Sequence, residues 1–328
     1  MATLEITFLQ GQLEERKQRL QQAIALTSRN GGSGNGGLAT LLREVDSALE
    51  RMDKGSYGIC DECHEAIEKE RLLADPLVRY CLDHLTQPQR AALQRDLDLA
   101  AEVQRNLLPQ PNLRAGAWET SYHYAPHGPV SGDYCDLIPS DGHLFFVLGD
   151  VSGKGVAAAM LMAQLHALFR SLTGLGLPLC QIITQANRVL CESALAGQYA
   201  TLVCGQANAD GEVEIHNAGH LPAILVRRDG TLQIESMGFP LGMFLEGEFP
   251  ACRHKLEAGA TLLLFSDGFS EAQGANEEYG VDRIVRCMQE QGGRQAVEVI
   301  ATCLDELRAF TGGVPQFDDL TLLAIRRC

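Results

Sequence analysis

The residues of this 328-residue chain best suited to chemistry are aspartates that lie next to glycines or to apolar runs. Asp150 lies within Gly149–Gly155, between an apolar run and a helix-like one, and Asp133, Asp267 and Asp318 lie far from it in sequence. A carboxylate at the end of a strand, with glycine beside it, can hold a hard cation on a rigid edge. One such aspartate is usually a turn residue, but four acidic sites together indicate a metal cluster.

The ordered set of motifs resembles the metal-dependent serine/threonine protein phosphatases (PPM family), in particular their bacterial SpoIIE-like and RsbU-like branch. The resemblance covers roughly residues 95–328 and implies an α+β fold, a two-sheet β-sandwich flanked by antiparallel helices. Besides the aspartate motifs, the matching blocks are Tyr199-Ala200-Thr201, Asn217-Ala218-Gly219-His220-Leu221-Pro222, Pro240-Leu241-Gly242 and Asp267-Gly268-Phe269-Ser270-Glu271-Ala272.

The resemblance implies hydrolysis of phosphoserine with two divalent ions, Mn²⁺ or Mg²⁺, which such sites hold about 3.5–4 Å apart. Carboxylate oxygens suit these hard cations better than His or Cys. Asp150 is implied as the bridging ligand. The other implied ligands are Asp133 and the Val151 carbonyl for one ion, and Asp267 and Asp318 for the other.

Asp319 competes with Asp318 for the last ligand position. Asp318 is preferred because eukaryotic relatives carry Asp-Asn before the hydrophobic-Thr pair, which aligns their ligand with the first residue of the pair here.

Two departures from the family pattern affect the expected chemistry. The branch usually has Gly-Gly-Asp with an aromatic residue two positions on, whereas this chain has Ser131 and Cys135; activity is still expected because Asp133 is present. Gly219-His220-Leu221-Pro222 replaces the segment that supplies a third metal in eukaryotic relatives, so a third ion is not expected. His220 is interpreted as a structural histidine, with proton donation to the leaving serine oxygen as the alternative.

A second cluster has the spacing of a zinc site: Cys60-x2-Cys63, 17 intervening residues, then Cys81-x2-His84. Three thiolates and an imidazole suit one tetrahedral Zn²⁺. The region resembles the DksA/TraR-type zinc finger, which usually has cysteine at the position of His84, and His64 is the alternative fourth ligand. The glycine-rich segment 30–35 lacks the acidic residues with which that family enters RNA polymerase, so polymerase binding is not expected.

The apolar spacing predicts helices over residues 5–28 and 38–53, which form a hairpin before the cysteines. Residues 88–108 have heptad-like apolar positions over only about two heptads. This helix is predicted either to lie on the catalytic domain or to pair two subunits in a homodimer. The predicted domains are residues 1–87 (hairpin and zinc finger), 88–108 (linker helix) and 109–328 (phosphatase).

Strands are predicted at 143–148, 201–206, 212–216, 223–226, 232–235, 262–265 and 320–325, because turn residues separate short apolar runs there. Helices are predicted at about 155–172, 178–195, 281–290 and 294–311.

The net charge of −15 argues against nucleic-acid binding, which normally needs a basic face. It divides as 10 basic against 14 acidic residues over 1–88, and 17 against 28 over the rest. The sequence has no apolar run of membrane-spanning length and no secretory pattern, so we expect no membrane span and a cytoplasmic location. Eleven cysteines, odd in number and scattered, predict reduced thiols.

The leading hypothesis is a cytoplasmic phosphatase that acts on a phosphoserine protein, by resemblance an anti-sigma-factor antagonist. The alternative is a polymerase-associated or scaffolding zinc-finger regulator whose phosphatase-like domain is inactive. The acidic ligands are all present, which argues against the alternative.

Overall fold

The computed structural model describes residues 9–14, 16–21, 24, 35–84, 87–140, 142–193, 197–274 and 277–328. The chain divides into two compact units, Met1–Arg95 and Asp96–Cys328. Most of the predicted glycine-rich tip, residues 30–34, lies outside the described residues.

The N-terminal unit is built from short helices around a small core. The helical residues 9–14, 16–21 and 24 are together called α1, and they are followed by α2 (Asn35–Asp53), α3 (Lys69–Ala74) and a 3-10 helix (Leu82–His84). α4 (Gln87–Leu107) begins in this unit. Leu9 and Leu13 of α1 belong to the same buried cluster as Val45 and Ala48 of α2, as the predicted hairpin requires.

The second helix was predicted over residues 38–53, and α2 begins three residues earlier, at Asn35. These residues form the first turn, where backbone N–H groups need no intrahelical acceptor. The packing of Val45 and Ala48 outweighs the modest propensity cost of the glycines.

The C-terminal unit contains two antiparallel sheets. The six-stranded sheet has the order β1 (Arg114–Ala115), β2 (Trp118–Ala125), β11 (Leu320–Arg327), β10 (Thr261–Phe265), β7 (Ala223–Arg227), β8 (Gly230–Ile234). The five-stranded sheet has the order β3 (Asp133–Ser140), β4 (His143–Val151), β5 (Ala200–Asn208), β6 (Glu212–Ala218), β9 (Ala251–Lys255).

Alternating side chains of the central strands form the interior of the sandwich. In β10, Leu262 and Leu264 lie in the cluster between the sheets, while Leu263 and Phe265 lie in the cluster beneath the helices. Both faces of this strand are therefore buried, as its uninterrupted apolar sequence predicts.

Helices cover both outer faces of the sandwich. α5 (Gly155–Thr173) and α6 (Leu179–Ser193) pack on the five-stranded sheet, and α8 (Val281–Gln289) and α9 (Ala296–Thr311) pack on the other. Among the described helices α5 is long and apolar enough to cross a membrane, yet its buried residues belong to the core of this unit. The predicted α+β sandwich with flanking helices is confirmed.

Candidate functional site

Two of the predicted metal ligands face each other across neighbouring strands. Asp133, at the start of β3, pairs in register with Asp150 near the end of β4. Asp133 is only 1% exposed; one of its oxygens accepts a hydrogen bond from the Thr321 hydroxyl. Its other oxygen, Oδ1, is buried and has no hydrogen-bond partner among the described residues. A buried carboxylate oxygen without a donor is a position suited to a cation.

Gly132 permits a close approach of oxygens beside this pair. A Cβ at position 132 would lie 3.0 Å from the Val151 carbonyl oxygen and 3.2 Å from Asp150 Oδ1. Both of these oxygens are predicted ligand atoms. A side chain at position 132 would therefore crowd the ligand atoms themselves, which explains the glycine physically.

The other two predicted ligands come from the six-stranded sheet. Asp267 follows β10 as the first residue of the short helix α7 (Asp267–Ser270), and Asp318 lies just before β11. Asp318 Oδ2 is 2.7 Å from Nζ of Lys154, which lies in the turn between β4 and α5. Asp133, Asp267 and Asp318 all lie close enough to Asp150 to interact with it electrostatically, so residues from both sheets converge here.

The charges of these carboxylates destabilise one another. Burial raises the pKa of Asp150 to about 7, and the neighbouring charges of Asp267 and Asp318 add to the effect. Burial likewise raises the pKa of Asp133 well above its usual range, and burial together with Asp318 raises the pKa of Asp267. This oxygen-rich, mutually repulsive set fits divalent hard cations, which would offset the repulsion.

Asp319 has a different environment from Asp318. Its Oδ1 accepts a hydrogen bond from the His127 backbone N–H at 2.8 Å, and its Oδ2 accepts one from the Gly132 N–H at 2.9 Å. Both oxygens therefore hold the segment that leads into β3. Asp318 accepts one backbone N–H, that of Asp319 at 2.9 Å, and its other oxygen pairs with the exposed Lys154 ammonium. Because only Asp319 has both oxygens held by backbone donors, this arrangement favours Asp318 over Asp319 as the ligand.

Ser131 and Gln104 support the site, and Gln104 was missed by the sequence analysis. The Gln104 side chain is buried, donates to the Ser131 carbonyl at 2.7 Å and accepts from the Ser131 N–H at 2.9 Å. The Ser131 hydroxyl accepts from the Asp133 N–H at 3.0 Å. Gln104 lies in α4, so this helix is hydrogen-bonded to the segment that positions Asp133. A single polar residue on an amphipathic helix does not indicate such a contact in the sequence.

His220 is held by its neighbours. Its Nδ1 lies 2.8 Å from the Thr201 hydroxyl and its Nε2 lies 3.1 Å from the Phe265 carbonyl oxygen. The carbonyl can only accept, so Nε2 carries the proton and Nδ1 accepts from the hydroxyl. Burial lowers the pKa of His220 to about 4. These contacts favour the structural interpretation over proton donation.

A cleft of about 380 Å³ opens beside the aspartates. The residues that line it include Asp150, Ser152, Tyr199, Thr201, His220 and Asp267. The size and the polar lining of this cleft suit a phosphorylated side chain.

The predicted zinc ligands also come together, in the N-terminal unit. Ligand atoms of Cys60, Cys63, Cys81 and His84 all lie within 4.8 Å of one another. Although burial opposes it, backbone N–H groups of Cys63 and Cys81 lower the pKa of the Cys60 thiol to about 6, which favours the thiolate. The cluster contains His84 and not His64.

Comparison with known families identifies both regions. Residues 140–328 match the family model of stage II sporulation protein E (SpoIIE). Residues 55–83 match the prokaryotic dksA/traR C4-type zinc finger. The first match includes Asp150, Asp267 and Asp318 but begins after Asp133, which the strand register places beside Asp150. The second ends one residue before His84.

Two curated relatives extend the similarity. Phosphoserine phosphatase RsbU of Bacillus subtilis (strain 168) is 26% identical over 238 residues, 72% of this chain and 71% of RsbU. Protein IcfG of Synechocystis sp. (strain ATCC 27184 / PCC 6803 / Kazusa) is 26% identical over 265 residues, 71% of this chain. The chain spans only 41% of the length of IcfG.

A solved structure supports the fold. The SiaA-PP2C domain of Pseudomonas aeruginosa superposes with a TM-score of 0.65 at 19% identity, covering 73% of this chain and 98% of that domain.

Proposed function

The chain belongs to the SpoIIE family, and on that premise we propose that it is a metal-dependent protein serine/threonine phosphatase that hydrolyses phosphoserine on a regulatory protein. The observation that carries this proposal is the convergence of four aspartates from both sheets, among which Asp133 Oδ1 is buried without a donor. The similarity to a phosphoserine phosphatase supports the reaction type.

In this proposal each residue of the site has a role in binding the ions or the substrate. Asp133 and the Val151 carbonyl would hold one Mn²⁺ or Mg²⁺ ion, Asp267 and Asp318 would hold the other, and Asp150 would be a ligand shared by the two. When bound, the two ions supply an activated water and positive charge against the phosphoryl oxygens. Thr321 orients Asp133 through its hydrogen bond, and Lys154 orients Asp318. The cleft lined by Ser152, Tyr199 and Thr201 receives the phosphoserine side chain.

For the substrate we propose an anti-sigma-factor antagonist in the cytoplasm, by likeness to the RsbU-like branch. Purified full-length protein should release phosphate from such a phosphoprotein only when Mn²⁺ or Mg²⁺ is added. Phosphate release measured with and without the ions checks this. If no phosphoserine protein or phosphate ester is hydrolysed under either condition, the alternative of an inactive domain in a zinc-finger regulator is correct.

Asp318 and Asp319 give a sharp test of the ligand assignment. Asp318→Asn should reduce metal-dependent turnover at least about 100-fold, because a ligand carboxylate is lost. Asp319→Asn should lower the free energy of unfolding by about 1–3 kcal/mol, because one backbone N–H loses its charged acceptor, while metal-dependent turnover persists. Parallel measurements of turnover and of denaturant unfolding distinguish the two; the reverse pattern would make Asp319 the ligand.

For α4 we propose that it pairs two subunits and couples assembly to activity. The heptad-like stripe of α4 consists of Leu93, Leu97, Ala100, Val103 and Leu107. Leu93 and Val103 are 43% and 54% exposed, and burial against a partner would contribute about 2 kcal/mol for each. Gln104 connects the same helix to Ser131.

Leu93→Asp combined with Leu97→Asp should therefore change both oligomeric state and turnover. Leu99→Asp is the matched control, because Leu99 is 60% exposed but lies off the stripe. Light scattering and turnover of the three proteins check this; a monomeric wild type leaves only the helix-on-domain interpretation.

A further inference from the structure

A cavity of about 680 Å³ lies within the N-terminal unit, on a surface to which neither the zinc cluster nor the metal centre assigns a role. Its walls come from α1, α2, α3, the segment before Cys81 and the start of α4. The lining residues that bear on its chemistry are Arg16, Arg43, Ser47, Arg71, Arg79 and Tyr80. This volume is typical of sites for small ligands.

The cavity is basic although its surroundings are acidic. Four arginines line it against two carboxylates, Glu44 and Asp75, whereas residues 1–88 as a whole carry 10 basic and 14 acidic residues. Arg79 already pairs with Asp61 at 2.5 Å. Within the described ranges, no carboxylate forms an ion pair with the other three arginines. Several guanidinium groups at one cavity create a positive potential that attracts an anionic ligand.

The side chain of Arg71 requires a hydrogen-bond acceptor that the ligand can supply. Its Nε is buried and finds no hydrogen-bond acceptor in the described part of the chain. A buried donor on a charged group destabilises the protein unless an acceptor reaches it. Guanidinium groups match phosphate especially well, because two N–H donors can bind two of its oxygens at once.

We propose that this cavity binds a small phosphate-bearing anion. The phosphate is held by Arg16, Arg43 and Arg71. The lining also includes Leu41, Leu77 and Tyr80, which can accommodate an apolar or planar organic part of the ligand. Nucleic acid fits poorly, because the acidic surroundings would repel a polyanionic chain.

Calorimetric titration of full-length, zinc-loaded protein without added Mg²⁺ or Mn²⁺ tests the proposal. Inorganic pyrophosphate and ADP should bind, and adenosine should not. Equal affinity for pyrophosphate and ADP would mean that the phosphates alone are recognised. Tighter binding of ADP would mean that its organic part also lies in the cavity. Absence of binding by both pyrophosphate and ADP would overturn the proposal.

Variants locate the binding. Arg16→Ala combined with Arg71→Ala should weaken it at least about tenfold, since two charge-assisted contacts are lost. Arg95→Ala, an exposed position outside the cavity, removes the same kind of charge and should leave affinity unchanged. Asp150→Asn should bind as the wild type does, and the zinc content of each variant verifies that the module is folded. Unchanged affinity in the double variant would place the anion elsewhere and refute the proposal.

Discussion

Replacing Asp150 by asparagine is expected to reduce metal-dependent phosphate release at least about 100-fold while the protein stays folded. Asp150 is the one carboxylate proposed to contact both ions, so its loss disturbs both at once. The fold should persist because the pKa of Asp150 is raised to about 7, mainly by burial, which means that its charge costs free energy in the apoprotein. The amide has nearly the same shape and avoids this charge. Turnover of a phosphoserine protein at saturating Mn²⁺ measures the effect.

Asp210→Asn is the matched control, because Asp210 lies exposed in the turn between β5 and β6. It should leave turnover unchanged. Thermal unfolding of the Asp150 variant should show stability equal to or above that of the wild type without divalent ions. Undiminished turnover in the Asp150 variant would refute the proposed metal centre.

The sequence was sufficient to predict the family, because each of its motifs is local; that the four aspartates hold metal stays a prediction. Glycine–aspartate motifs and apolar strands such as β10 and β11 carry their own signal. The support of the site is not local: Gln104 lies 27 residues from Ser131, and Asp319 bonds to Gly132 across 187 residues. Only the folded chain reveals that Asp319 has both oxygens held by backbone donors, whereas Asp318 has one.

Strands with polar sequences were also missed. β3 contains two aspartates and Pro139, which lower its strand propensity, and it is held in place by pairing with β4 along its whole length. Within it, buried Asp136 accepts two hydrogen bonds from Arg170 at 2.7 and 2.8 Å. β9 lies at a sheet edge with charged, partly exposed residues, a composition that protects edges but hides the strand in the sequence.

Zinc is expected to copurify at about one equivalent and to be lost from a Cys60→Ser variant, with large loss of order in the N-terminal unit. Three thiolates select zinc over Mg²⁺, and the binding free energy of structural zinc, about 10–16 kcal/mol in zinc-finger peptides, acts as folding free energy. Cys60 and Cys81 are themselves part of the buried cluster that contains Tyr57 and Leu72. Elemental analysis and hydrogen exchange over residues 38–84 measure the two effects.

Substitutions of His84 and His64 test which of these residues is the fourth zinc ligand. His84→Ala should weaken zinc retention, since His84 Nδ1 lies 3.1 Å from the Cys81 sulfur. His64→Ala should retain zinc, because His64 lies outside the cluster. The backbone φ of His64 is 58°, a left-handed conformation that is unfavourable for histidine and alanine alike. The substitution therefore tests the imidazole side chain. Cys180→Ser, at an exposed cysteine, controls for thiol loss. Zinc retained in the His84 variant but lost in the His64 variant would make His64 the fourth ligand. If wild-type protein purified under reducing conditions contains no zinc, the zinc site itself is refuted.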